Sequence, residues 1–193
     1  MKKKTIACLA ASILMALAGC ASQSAPSMTL EQANASVAAG YNLAAGDRVK
    51  VTVFDEPSLS GEFDIGLDGE LVMPLISGVE VTGMSTDRLA SIISTKLVEG
   101  GYVLEPIVSV EILSHRPFYI LGEVKQPGEY PVVGMLTLDQ AIAKAGGYTP
   151  RASKGHVILK RISWEKGRRI DVDPGSSLKI APGDTISVPE AFF

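Results

Sequence analysis

The residues able to do chemistry are few and scattered. Asp55, Glu56, Asp64, Asp68 and Glu70 bring five carboxyl groups into one short stretch, and two acids flanking a sugar bond are what glycoside hydrolysis requires. Their neighbours argue otherwise: Asp55-Glu56 adjoins Pro57 and Asp68 adjoins Gly69, contexts that turn the chain toward solvent. These acids are therefore expected as solvated turn residues, and no catalytic residue is assigned. Ser114-His115 has the types of a nucleophile and its base. A consecutive pair has no mechanical meaning without a positioned acid and oxyanion donors, so His115 is expected at a junction between domains. His156 is the other histidine, and the cysteines are Cys8 and Cys20. Such spacing makes a poor zinc set, and neither a metal nor a cofactor is expected. Lys160, Arg161, Lys166, Arg168 and Arg169 form a basic cluster that an acidic polymer or phospholipid head groups would suit, but at this density it reads as a solvated hairpin face.

Composition narrows the classes. The 193 residues are 46% hydrophobic, enough for one large domain or two small ones with a packed core. Formal charge is −3, and removing Lys2, Lys3 and Lys4 with a signal peptide takes it to −6. Nothing global then attracts nucleic acid, and no nucleic-acid partner is expected. Both cysteines lie in the first twenty residues, so packing rather than disulfides must hold the fold.

The elements that position these residues follow in order. Lys2, Lys3 and Lys4 precede an apolar run over 6–18, the n-region and h-region of a secretory signal over 1–19. Leu17-Ala18-Gly19-Cys20 resembles a bacterial lipobox, which implies acylation at Cys20 and anchoring in a bilayer, since each buried methylene adds about 0.8 kcal/mol. Ala21 after the cysteine resembles an outer-membrane address. Residues 20–40, rich in Ala, Ser and Gln, have the composition of a tether, with Thr29 and Gln32 able to cap a short helix reaching Ala39.

Gly46-Asp47 opens a turn, and Val49, Val51 and Val53 alternate with polar residues as a strand with one buried face. Phe63 and Ile65 begin a second strand, and Asp68-Gly69 predicts a tight hairpin along which Leu71 and Met73 return. One more short strand is expected around 78–83. Ser85 caps a helix whose Leu89, Ile92, Ile93 and Leu97 make an apolar stripe ending at Gly100-Gly101, and a closing strand follows Pro106. Further on, 118–121 and 130–133 read as a hairpin about Pro127-Gly128. Thr137 and Gln140 have capping-box spacing ahead of Leu138, Ala141, Ile142 and Ala145, and Gly146-Gly147 stops that helix. Residues 157–159 and 169–172 form another hairpin. Finally, 180–188 echoes 43–51: Ile180-Ala181-Pro182-Gly183-Asp184 lines up with Leu43-Ala44-Ala45-Gly46-Asp47, a shared turn-to-strand device.

Two stretches carry a family resemblance. Gly122-Glu123-Val124, Pro127-Gly128-Glu129-Tyr130 and the 137–147 helix resemble the soluble-ligand-binding β-grasp (SLBB) module of bacterial outer-membrane polysaccharide export (OPX) proteins. Residues 41–51 with Gly69, Pro74, Gly78 and Gly83 are similar to the polysaccharide biosynthesis/export domain. The resemblance implies an α+β fold, with a small mixed-sheet export domain over 41–114 and a β-grasp domain over 115–193. It further implies a non-enzymatic, lipid-anchored component of a capsule or exopolysaccharide export conduit on the periplasmic face of the outer membrane. Its partners would be the polysaccharide, further copies in a homo-oligomeric ring, an inner-membrane polysaccharide copolymerase and an outer-membrane barrel partner. Long family members end in an amphipathic membrane helix, whereas this sequence stops at Phe193, so a short form needing a separate barrel is expected. A glycan- or protein-binding envelope lipoprotein that conducts nothing is the other reading.

Overall fold

The computed structural model describes residues 25–38, 40–173 and 175–191. The expected signal peptide and Cys20 lie outside them. In chain order the elements are β1 (Ser27–Met28), α1 (Leu30–Ala38), β2 (Arg48–Val53), β3 (Gly61–Asp64), β4 (Glu70–Met73), β5 (Ile76–Glu80), α2 (Thr86–Glu99), β6 (Val108–Ser114), β7 (Phe118–Gly122), β8 (Gly128–Tyr130), β9 (Leu136–Thr137), α3 (Leu138–Lys144), β10 (His156–Lys160), β11 (Arg168–Asp171), β12 (Lys179–Ile180) and β13 (Thr185–Val188). The fold is α+β, with two hydrophobic cores.

The first unit is built on β2, whose alternation buries Val49, Val51 and Val53 and exposes the residues between them. It pairs antiparallel with β3 on one side and β6 on the other. The Ser85 hydroxyl accepts from Arg88 N–H at the start of α2, and Leu89, Ile93 and Leu97 are fully buried along one helix face. Burying each such side chain contributes roughly 1.5–3 kcal/mol. The Asp68-Gly69 turn forms, but the expected hairpin does not. Beyond a single bridge between Ile65 and Leu71, β4 pairs with β5 instead.

The second unit is a six-stranded mixed sheet in the order β1-β11-β10-β13-β7-β8, with a small β12-β9 ribbon beside it. The β7-β8 hairpin forms as expected, although β8 begins at Gly128 and ends at Tyr130. Helix α3 carries both halves of the capping box: Gln140 N–H donates to Thr137 Oγ1 and Thr137 N–H to Gln140 Oε1 at 3.0 Å. Its Leu138, Ala141 and Ile142 enter a core with Phe118, Ile120, Leu159 and Ile186. Strand β13 occupies the middle of the sheet, parallel to β7 and antiparallel to β10.

The stretch expected as a tether is part of this second unit from Ser27 onward. β1 lies parallel to β11, and Arg169 N–H donates to Pro26 O at 2.9 Å. Thr29 and Gln32 form the expected reciprocal cap of α1, and Ala33 is completely buried in the second core. Ala33 is the buried residue of this short helix, and its small side chain lets the helix approach the core closely. The first unit is thus inserted between two segments of the second.

Candidate functional site

The two Gly-Asp turns that echo each other in sequence are equivalent in structure, and both lie where the units meet. Gly46 and Gly183 take φ of +88° and +82°, the left-handed region where glycine carries no Cβ penalty. That conformation folds each following aspartate back over its own turn. Ala44 N–H donates to Asp47 Oδ2 at 2.9 Å, and Ala181 N–H to Asp184 Oδ2 at 2.8 Å. Asp47 is 1% exposed and Asp184 fully buried, so each carboxylate needs a charged partner.

Each has an arginine. Arg116, on the segment joining β6 to β7, donates from its backbone N–H to Asp47 Oδ1 at 2.8 Å and from Nη1 to Oδ2 at 3.0 Å. The Tyr41 hydroxyl donates to the same carboxylate at 2.5 Å and accepts from Arg116 Nη1 at 3.0 Å. Burial, with that bond to Asp47 second, pushes the Tyr41 hydroxyl far above its usual range. Arg161 meets Asp184 through Nε and Nη2 at 3.1 Å and also donates to Lys179 O at 2.7 Å. Its Nη1 reaches Ala33 O and Ser36 Oγ, tying α1 to the sheet. Burial pushes Asp184 upward, and the Arg161 charge and hydrogen bonds oppose it.

Between α1, the two turns and the β8-β9 connection lies a cleft of about 720 Å³. Tyr41, Thr82, His115, Arg116, Met135 and Lys179 are among the residues lining it, and no aspartate or glutamate is. His115 packs edge-on against Tyr41 with ring centroids 4.4 Å apart. Its position between β6 and β7 is the expected junction.

The other residues singled out from sequence do not converge. Asp55 has φ of +60° in the turn after β2; Asp64 pairs with exposed Arg48 at 3.0 Å; Asp68 accepts from Glu70 N–H at 3.0 Å as a turn brace. Glu56 is half-buried, and the other four acids are exposed. Ser114 is exposed at the end of β6, and the nearby carboxylate of Asp47 is bonded to Arg116, Tyr41 and Ala44 rather than to His115. His156 sits beside Ser153 Oγ at 3.2 Å, and its pKa is lowered by partial burial and then by Arg169. Of the basic cluster, Lys160, Lys166 and Arg169 are exposed. Arg161, expected on that solvated face, is instead 5% exposed and committed to Asp184. Among the described residues no three His, Cys, Asp or Glu side chains gather as a metal site.

Comparison with known proteins covers both units. Residues 35–113 match the model described as polysaccharide biosynthesis/export protein, and 117–173 match the SLBB domain. The exopolysaccharide production protein ExoF of Rhizobium meliloti (strain 1021) is 31% identical over 171 residues, covering 78% of this chain and 40% of ExoF. The polysialic acid transport protein KpsD of Escherichia coli is 29% identical over 124 residues, covering 63% of this chain and 22% of KpsD. The EPS I polysaccharide export outer membrane protein EpsA of Ralstonia nicotianae is 27% identical over 144 residues, covering 69% of this chain and 37% of EpsA. The matched region therefore spans less than half the length of each of these relatives. With both modules present in one chain and in this order, the protein belongs to the family of polysaccharide export proteins that join a biosynthesis/export domain to an SLBB domain.

Proposed function

We propose that this protein is a lipid-anchored component of an outer-membrane export conduit for capsule or exopolysaccharide, held on the periplasmic face through acylated Cys20. The observation that carries this reading is the succession of the two family modules, beside the similarity to relatives named for polysaccharide export and transport. Copies assemble into a homo-oligomeric ring between an inner-membrane copolymerase and an outer-membrane barrel. The exposed edges of β3 and β8 give such a ring a physical route, since unpaired strand edges invite pairing with a neighbouring copy. The placement of Asp55 and Asp68 in exposed turns and of Asp64 in a surface ion pair supports a role without catalysis.

A strain lacking the protein and one carrying Cys20→Ser test this. Polymer should be trapped in the periplasm of the first and reach the surface at a reduced level in the second. Normal surface polymer in both would remove export as the main role. The cleft favours a second reading, a glycan-binding envelope lipoprotein that conducts nothing, and that same result would bring it forward.

A further inference from the structure

The cleft between the units has a chemistry of its own. Its volume, about 720 Å³, falls within the roughly 300–1,000 Å³ of sites that hold small molecules. In a chain of net charge −3, its wall carries His115, Arg116, Arg161 and Lys179 with no acidic side chain. Asp184 and the neighbouring carbonyl and hydroxyl oxygens consume every nitrogen of Arg161. The other three are less committed. Lys179 makes no ion pair among the described residues, and Arg116 gives Asp47 only its Nη1 and backbone N–H. Arg116 Nε and His115 Nδ1 are buried without any hydrogen-bond partner among the described residues, and a buried polar atom left so is destabilising. Met135 and Ile162, 75% and 62% exposed, add apolar surface to the same lining.

We propose that this cleft binds a carboxylate-bearing sugar residue, with the carboxylate held by Arg116 and Lys179 and the ring C–H face on Met135 and Ile162. A cationic end recognises the carboxylate as a charge-assisted pair, and apolar walls with a few placed polar groups suit the rest of a pyranose. The assignment rests on the export reading for its choice of a sugar over other carboxylates.

The test titrates the acylated protein, in detergent, with trigalacturonate, trimannuronate, maltotriose and glutarate, by calorimetry and by methyl NMR. A uronate trimer should bind in a salt-sensitive manner and shift the Met135 and Ile162 methyl signals. Maltotriose and glutarate should bind at least about tenfold more weakly. Lys179→Ala, whose side chain holds no ion pair among the described residues, should weaken the uronate by about tenfold while thermal unfolding stays unchanged. His115→Ala gives a second readout that leaves the Arg116–Asp47 pair intact, and it should also weaken uronate binding. The proposal falls if neither uronate binds at about 10 mM, if maltotriose or glutarate binds equally well, or if both variants bind like the parent. Trapped polymer in the deletion strain together with no uronate binding would overturn the cleft assignment alone and leave export standing.

Discussion

Asp47 and Arg116, 69 residues apart, are joined twice, once through the Arg116 backbone N–H at 2.8 Å and once through its guanidinium at 3.0 Å. The carboxylate of the first unit thereby fixes both the position and the direction of the chain as it enters the second. The side chain of Asp47 is fully buried and that of Arg116 is 12% exposed, so little water is available to replace either partner.

Asp47→Ala should therefore cost about 3–5 kcal/mol, because it leaves a buried guanidinium, the Tyr41 hydroxyl and the Ala44 N–H without their acceptor. Asp64→Ala removes an ion pair of similar length, but at a carboxylate that is 72% exposed, and should cost under about 1 kcal/mol. Urea unfolding of the two variants compares them directly. Equal losses would mean that the junction is not what holds the units together.

Gly122 and Gly134 both have positive φ, +84° and +69°, yet their surroundings differ. A Cβ at Gly122 would stand 2.1 Å from Val188 O in the parallel partner strand, whereas one at Gly134 meets nothing within 4 Å. Gly134→Ala should cost only the left-handed backbone term of roughly 1–2 kcal/mol. Gly122→Ala should cost clearly more and displace β13 from β7, which amide exchange at Tyr119 and Glu123 would report.

The Tyr41 hydroxyl is raised in the fold, so above the unfolded value of 10.0 the unfolded chain releases a proton that the native chain keeps. The native state then binds more protons, and stability falls as pH rises above about 10. Tyr41→Phe should lower stability at neutral pH by about 1.5–3 kcal/mol through the lost bond to a charged acceptor and flatten the alkaline decline. Tyr148, raised by burial and then by Asp139, supplies part of the slope that remains. Denaturant unfolding between neutral and alkaline pH checks both effects, and an unchanged slope in the variant would refute the assignment.

Helix α1 makes a prediction that a tether would not. Asn34 donates to Ser177 O at 3.0 Å and accepts from Lys179 N–H at 2.8 Å, so Asn34→Ala should cost about 1–3 kcal/mol. Ala33→Glu places a carboxylate in the second core, which also holds Phe118 and Ile170, and should cost more still. In a loose leash neither change would move the thermal midpoint.

What the sequence made legible was local. Alternation at Val49, Val51 and Val53, the Ser85 cap, and the Thr137-Gln140 box each specify a conformation through neighbours a few residues away. Placement was less legible. Periodicity announces β13 as a strand without saying that β7 and β10 receive it, and Asp68-Gly69 announces a turn without saying that β4 will pair onward with β5. At the junction the echo of Gly46-Asp47 in Gly183-Asp184 was visible as turn chemistry. The repeated Asp was its informative position, since a buried acid demands a cation, and Arg116 and Arg161 come from distant segments. Arg161 was hidden by company: four neighbouring basic residues made it read as one more solvated charge. For α1 the Ala-, Ser- and Gln-rich composition pointed to a tether, and Ala33 and Asn34, which help to dock it, have no signature of their own.

The insertion of the first unit also sets an order of assembly. All the partners of β2, β3, α2 and β6 lie within one continuous stretch, so that unit can close as soon as Ser114 is available. Helix α1 leaves the ribosome earlier, but it has to wait for Lys179 and for Arg161, which Asp184 holds in place, before these partners can dock it. The central β13 arrives last of the strands, and non-local pairing of that kind is slow. The earliest described helix is thus among the last to find its place, and until then the new chain is a finished first unit flanked by two unfinished arms.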